Sequence, residues 1–230
     1  MASLHYKFAA MNSGKSTQLI QAHFNYCERG MTPYAMTPAI DDRFGFGVIA
    51  ARVGLELRAD TFAPHTDLFA VIQQKCLQQP LHVCIIDEAQ FLTREQVYQL
   101  ARVVDELEIP VIAYGLKSDF RGELFEGAYH LLCLADKVEE LKSVCWCGSK
   151  AHMNARVSPA GEVVREGEQV EIGGNDRYVS LCRKHYLQGM AFPAQPMAVK
   201  PQRNASAGSV QPWRCKDNSS QKRPRIRLMR

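Results

Sequence analysis

Residues 4–8 read as a short buried strand that leads straight into Ala9-Ala10-Met11-Asn12-Ser13-Gly14-Lys15-Ser16, and a helical pattern follows over residues 16–29. No other feature constrains the fold as much. A strand, a loop ending in Gly-Lys-Ser and a helix together make a phosphate cradle. The loop N–H groups surround the anion, and the helix N-terminus favours its charge. Lys15 is expected to reach the β- and γ-phosphates of ATP, and Ser16 to bind Mg²⁺. Ala9 stands where the pattern has its first glycine, whose backbone freedom alanine lacks. A bare Gly-Lys-Ser recurs by chance, so the assignment needs a partner. Val83-Cys84-Ile85-Ile86 supplies one: a compact apolar run, as in a central parallel strand, ending in Asp87-Glu88. A carboxylate at this place in phosphate-loop proteins holds Mg²⁺. That assigns Asp87 to the metal and leaves Glu88 free as a base, either for a water in an ATPase or for a hydroxyl in a kinase.

The remaining pattern is α/β. In the first helix Leu19, Ile20, Phe24 and Cys27 share a side, and Gly30 stops it. A strand is expected near residues 34–36. Residues 41–63 have no clean period and read as a long loop. Leu68, Val71, Ile72 and Cys76 give a helical stripe ending before Pro80. Thr93-Arg94-Glu95-Gln96 is a capping box, with Val97, Leu100, Ala101, Val104 and Leu107 as the stripe behind it. Residues 110–114 read as another buried strand. Strands alternating with helices predict a P-loop (RecA-like) parallel sheet flanked by helices on both faces.

That pattern fades near residue 142. Cys145-Trp146-Cys147 and Cys182-Arg183-Lys184-His185 offer three thiolates and an imidazole, a closed tetrahedral set suited to a structural zinc. The Cys-x-Cys spacing is tighter than the usual two-residue gap. The segment between would be tied off at both ends, with the metal offsetting the entropy of closing it. The phosphate site, on its own sheet, is expected to stand apart from this module. Of the 8 cysteines, Cys27, Cys76, Cys84 and Cys133 read as reduced core thiols. The expected division is therefore 1–142, 143–190 and 191–230.

The formal charge of +4 misleads as a global property. Basic residues collect in 191–230, where Asp217 is the lone acid, and the rest of the chain is mildly acidic. This tail is rich in Pro, Gln, Ser and Asn and is expected to stay disordered. Gln221-Lys222-Arg223-Pro224-Arg225-Ile226-Arg227 could neutralise phosphates, but only Trp213 is there to stack on a base. Nucleic acid is not expected as a partner except through that tail. No run approaches the roughly 18 apolar residues of a membrane span, and the start has no signal-peptide pattern. The expected location is the cytoplasm.

Taken with the phosphate loop, several longer segments resemble the zinc-containing thymidine kinases of bacteria, animals and large DNA viruses. They are residues 10–17, Asp41-Asp42-Arg43, Asp87-Glu88-Ala89-Gln90-Phe91, residues 114–121 and Ile172-Gly173-Gly174-Asn175-Asp176-Arg177-Tyr178, followed by Cys182 and His185. Ala9 and the Cys-x-Cys pair are similar to the enterobacterial branch. The resemblance implies transfer of the ATP γ-phosphate to thymidine, with Glu88 as general base and Gln90 among the phosphate-site residues. It implies that Asp41 and Arg43 lie near the reacting phosphate and Mg²⁺, and that Met11, Phe91, Leu116, Phe120 and Phe125 surround thymine. Residues 170–178 would close over the nucleoside as a lasso, with Ile172, Gly173 and Tyr178 at the base. It further implies a kinase domain over 1–142, a zinc lasso domain over 143–190, a homotetramer and feedback inhibition by dTTP. The alternative is a RecA-like ATPase acting on nucleic acid, with the zinc module and tail as binding arms.

Overall fold

The computed structural model of the chain describes residues 1–169 and 177–193, all within one compact unit. Ile172, Gly173 and the tail from residue 194 lie outside the described residues. The elements begin with β1 (Leu4–Phe8), α1 (Lys15–Glu28), β2 (Pro33–Pro38), β3 (Val48–Ala51), β4 (Leu55–Arg58), β5 (Asp60–Phe62) and α2 (Leu68–Gln78). There follow β6 (Val83–Ile86), α3 (Arg94–Leu107), β7 (Val111–Gly115), α4 (Glu126–Leu134) and β8 (Lys137–Glu140). These eight strands include a six-stranded sheet in the order β5-β2-β6-β7-β1-β8. Every neighbouring pair in it is parallel. All six carboxyl ends therefore open on one edge, where ligands bind in such sheets.

The sheet is buried on both faces, as the unbroken apolar runs of β6 and β7 require. α2, α3 and α4 cover one face, packing around Tyr6, Met36, Ile86 and Ala113. On the other face Leu19 and Ile20 of α1 meet Ala35, Val83, Ile85 and Tyr114. Ile49 and Ala51 join that second cluster. They belong to an antiparallel hairpin, β3–β4, in the segment expected to be a loop. The hairpin's alternation is too short and its β4 too exposed to register as a period.

Two further readings need correction. Phe24 is 50% exposed and Cys27 is exposed, so the apolar stripe of α1 narrows to Leu19 and Ile20 beyond its first turn. Among the four cysteines read as core thiols, Cys84 is buried, Cys76 half-buried, and Cys27 and Cys133 exposed. A helical stripe predicts which residues share a face, but not how far along the helix the sheet reaches. The capping box of α3 is present as expected, with Thr93 and Gln96 bonding reciprocally.

A smaller substructure follows: a β9 (Ser143–Val144) and β10 (Lys150–Ala151) hairpin, then β11 (Met153–Val157), β12 (Val163–Val164), β13 (Tyr178–Leu181) and α5 (Arg183–Gln188). β11 is central in an antiparallel sheet with β12 and β13. Its own core gathers Cys145, Ala151, Ala155, Leu181, Cys182 and Tyr186. No helix among the described residues is long and apolar enough to cross a membrane.

After β6 the chain makes a 3₁₀ turn, Ala89–Phe91, which α4 crosses closely at a glycine. A Cβ at Gly127 would meet the carbonyl oxygens of Ala89 at 2.4 Å and Leu92 at 2.8 Å. Backbone cannot move aside as a flexible side chain does. Gly127→Ala is therefore expected to destabilise the protein by about 1–3 kcal/mol, the cost of overpacking a close contact. Urea unfolding followed by circular dichroism checks this; an unchanged midpoint would mean that the turn yields freely.

Candidate active site and metal centre

The phosphate loop continues β1: the Ala9 N–H donates to the Gly115 carbonyl at 3.3 Å, extending the β1–β7 ladder. Ala9 does not adopt a left-handed backbone, so alanine in place of the pattern's first glycine carries no strain here. The left-handed residues are Asn12 (φ 63°) and Gly14 (φ 80°), residue types that tolerate that region. Ser13 Oγ donates to the Ala10 carbonyl at 2.6 Å, bracing the turn. Lys15 is 8% exposed, and its Nζ donates to the Ala10 carbonyl at 3.1 Å. Burial lowers its pKa, and the nearby Glu88 and Asp87 partly oppose that. Gly14 precedes the first turn of α1, so Lys15 and Ser16 open the helix.

Asp87 and Glu88 sit at the carboxyl end of β6, facing the loop. Asp87 is 4% exposed. Burial, then the neighbouring Glu88 charge, pushes its pKa up to about 8, with Lys15 opposing. A buried carboxylate beside a lysine, at the edge of a phosphate loop, suits a divalent cation that supplies the missing positive charge. Glu88 adopts φ 44°, ψ 44°. A non-glycine residue in that conformation stores backbone strain, and such residues cluster at functional sites. The turn directs its carboxylate into the cavity between the loop and the C-terminal sheet.

Both oxygens of Glu88 are engaged. Arg43 Nη2 donates to Oε1 at 2.9 Å, and Gln90 Nε2 donates to Oε2 at 2.6 Å. Arg43 also makes a two-pronged pair with Asp41, at 2.6 and 2.7 Å. That pairing raises the guanidinium pKa further. Gln90 is held in turn by the Leu116 N–H, 2.9 Å from its Oε1. Gly115 makes room for it, since a Cβ there would lie 2.9 Å from the same Oε1. Gln90, expected among the phosphate residues, lines the same cavity as the loop and bonds the Glu88 carboxylate and the end of β7.

The cavity encloses about 340 Å³. Its far wall is apolar: Phe91, Leu116, Phe120 and Phe125, with Met11 and Tyr178 closing the sides. Phe91 and Phe125 meet edge to face, ring centroids 6.2 Å apart. The structure thus brings Met11, Asp41, Arg43, Asp87, Glu88, Gln90, Phe91, Leu116, Phe120, Phe125 and Tyr178 to one cavity with the phosphate loop.

Several residues at this wall were not singled out from the sequence. Asp119 is buried and accepts from the Arg121 and Glu123 N–H groups, each at 2.9 Å, and from Gln169 Nε2 at 3.2 Å. Arg156 lies 3.9 Å from the Phe120 ring centroid, and its Nε donates to the Tyr178 hydroxyl at 3.0 Å. Asn154 accepts from the Met11 N–H at 2.8 Å. A signal did exist. Asn154 and Arg156 are polar residues two apart in a short strand with apolar neighbours, which places both on one face.

Cys145, Cys147, Cys182 and His185 converge, their ligand atoms all within 4.8 Å of one another. Cys147 Sγ is 3.9 Å from Cys182 Sγ, and His185 Nδ1 is 3.5 Å from Cys145 Sγ and 3.4 Å from Cys182 Sγ. Tetrahedral zinc with bonds of about 2.3 Å to sulfur and 2.0–2.1 Å to nitrogen requires edges of about 3.8 and 3.6 Å. The set fits a metal of that size with no open position. Trp146 stacks on His185, centroids 4.1 Å apart, fixing the imidazole ring.

A parallel sheet with a phosphate loop, a buried acid for a cation and a strained glutamate facing an aromatic pocket defines a P-loop phosphoryl-transfer protein. The comparisons with known proteins narrow this. The family model "Thymidine kinase" matches residues 2–186. The thymidine kinase of Pasteurella multocida is 53% identical over 84% of this chain and the whole of that protein. That of Vibrio cholerae is 54% identical over 83% of this chain and 99% of that protein. That of Shigella dysenteriae is 53% identical over 83% and 93%. The chain belongs to the thymidine kinase family. A solved Bacteroides Pif1 bound to ssDNA overlays 61% of this chain at 17% identity and a TM-score of 0.32, a likeness that carries no argument.

The C-terminal substructure is not independent of the phosphate loop, contrary to expectation: β11 and β13 bond Met11 directly. Removing one of the four Cys/His side chains should therefore reach further than the apolar wall. Cys182→Ser is expected to lose stoichiometric metal by elemental analysis and to weaken binding of a fluorescent ATP analogue about tenfold, the loss of a buried hydrogen bond's worth. Normal ATP affinity in metal-free Cys182→Ser protein would show that the two parts are separable.

Proposed function

We propose that the chain transfers the γ-phosphate of ATP to the 5′-hydroxyl of thymidine, giving dTMP and ADP. The observation that carries this reading is Glu88, held in a left-handed turn between the phosphate loop and an aromatic pocket. An ATPase needs the first element but not the second. The aromatic wall of Phe91, Phe120 and Phe125 suits a planar base, which can meet one ring by its face and another by its edge, and the matched relatives carry the name of the same activity.

In the proposed reaction the nucleoside lies against that wall with its 5′-hydroxyl at Glu88. Glu88 takes the hydroxyl proton as the oxygen attacks the γ-phosphorus, and the bond to the β–γ bridging oxygen breaks to release ADP. Arg43 is placed to turn from Glu88 to the incoming phosphates, freeing Oε1 for the proton. Lys15 and the loop N–H groups meet the charge on the phosphates. Ser16 and Asp87 would hold Mg²⁺, which would supply charge neutralisation at the transferred phosphate. Zinc held by Cys145, Cys147, Cys182 and His185 would act structurally, since the set leaves no position for substrate. The proposal includes the wider reading of the sequence: residues 170–178 with Ile172, Gly173 and Tyr178 as a lasso, the division at about 142 and 190, a homotetramer and dTTP feedback.

Incubation with Mg-ATP and labelled thymidine should yield dTMP. ATP hydrolysis stimulated by DNA, with no dTMP, would instead support the nucleic-acid motor. Glu88→Gln keeps the shape of the side chain but removes the base, and it leaves one acceptor oxygen where the carboxylate has two. It should lower kcat by about 10²–10⁴-fold, while equilibrium dialysis still detects ATP and thymidine binding. Near-normal turnover would remove Glu88 from this role.

A further inference from the structure

In the antiparallel pairing of β11 with β13, Asn154 lies directly opposite Ser180 and Arg156 directly opposite Tyr178. Alternate residues of a strand share a face, so the four side chains leave the same side of the sheet as two adjacent cross-strand pairs. The two pairs reach different halves of the active site.

The first pair grips the phosphate loop. Asn154 is 3% exposed; its Oδ1 accepts from the Met11 N–H at 2.8 Å and its Nδ2 donates to the Ser118 carbonyl at 2.9 Å. The Ser180 hydroxyl donates to the Met11 carbonyl, which also accepts from Ser13 Oγ at 3.3 Å. Met11 opens the turn that runs through the left-handed Asn12 and Gly14 to Lys15. The direction of its peptide groups therefore sets where the following loop N–H groups point. The second pair builds the nucleoside wall. Arg156 packs on Phe120, bonds the Tyr178 hydroxyl, and donates through Nη2 to the Glu168 carbonyl at 2.9 Å.

We infer that Asn154 and Ser180 are positioning residues that couple nucleoside binding to ATP binding. A base seated against Phe120 and Tyr178 fixes Arg156 and Tyr178, hence the two strands, hence the register of Asn154 and Ser180 on Met11. The phosphate loop is then held in its binding form before ATP arrives. Coupling of this kind is reciprocal: ATP must raise the affinity for the nucleoside by the same factor. The inference rests on the proposed thymidine reading, because it needs a nucleoside at that wall.

The test is calorimetric titration of the full chain with Mg²⁺ and a non-hydrolysable ATP analogue, with and without saturating thymidine. The reverse pair of titrations completes the cycle. The wild-type protein should bind the analogue about fivefold or more tightly with thymidine present, and the reverse cycle should give the same factor. Ser180→Ala should bring the factor close to one, and Ser180→Thr, which keeps the hydroxyl, should restore it. Asn154→Ala leaves the Met11 N–H without its acceptor. It should weaken analogue binding about tenfold on its own, with a smaller effect on thymidine alone. Metal content and melting temperature of Ser180→Ala identify any general loss of structure. A wild-type factor of one overturns the coupling, as does an unchanged factor in both Ser180→Ala and Asn154→Ala. If the wild-type protein does not bind thymidine at all, the functional reading beneath it fails instead.

Discussion

Charge buried at the carboxyl edge of the parallel sheet is the condition that the surrounding structure has to satisfy. Lys15 and Asp87 are almost wholly enclosed, and Glu88 stands beside them in a strained backbone. Taking such groups out of water costs several kcal/mol each even after relaxation. The opposed shifts of Lys15 and Asp87, both driven first by burial, are the trace of that cost. It is offset only where opposite charges are brought together, as Lys15 is with the acid pair and Arg43 with Asp41 and Glu88. Arg43 reaches Glu88 from the loop that follows β2, next to β6 in the sheet, so strand order dictates which charges can meet.

Holding a glutamate in a left-handed turn needs support from several sides. Gln90 fixes one carboxylate oxygen, and the end of β7 fixes Gln90. Gly115 and Gly127 allow β7 and α4 to approach the turn to within backbone contact distance. The aromatic wall arises from the same convergence: Phe91 ends the turn, Phe125 caps α4, and Leu116 follows β7. A single compact crossing thus places Glu88 and the pocket relative to each other.

The C-terminal sheet completes both halves. The metal-type cluster joins the β9–β10 hairpin to the start of α5, directly after β13. A metal held in that closed tetrahedral set would fix the end of the strand that carries Tyr178 and Ser180. Closing so long a segment is entropically unfavourable, and the small core around Ala155, Leu181 and Tyr186 contributes only a modest apolar area to offset it. The ligand set and the contacts to Met11 and Phe120 share the remaining work.

Much of this was legible in the chain itself. The phosphate loop, the apolar β6 ending in two acids, the capping box of α3 and the Cys/His cluster are local patterns. Each depends on residues close in sequence or on chemistry that few residue types provide. The hairpin over the residues read as a loop was hidden because β3 and β4 are short and half exposed, and the exposed Cys27 and Cys133 show that an apolar stripe does not reveal where its partner ends. The sheet class and the convergence of the Cys/His cluster were readable in the chain alone, because strand–loop–helix order and the chemistry of thiolate and imidazole tolerate few alternatives. It took the folded chain to show that Asn154 and Ser180 bond Met11 in the phosphate loop, that Gln90 bonds Glu88, and that Ala9 costs nothing where the pattern has glycine. Those outcomes depend on contacts between residues as far as 169 positions apart and on backbone angles set by packing, neither of which leaves a local pattern in the sequence.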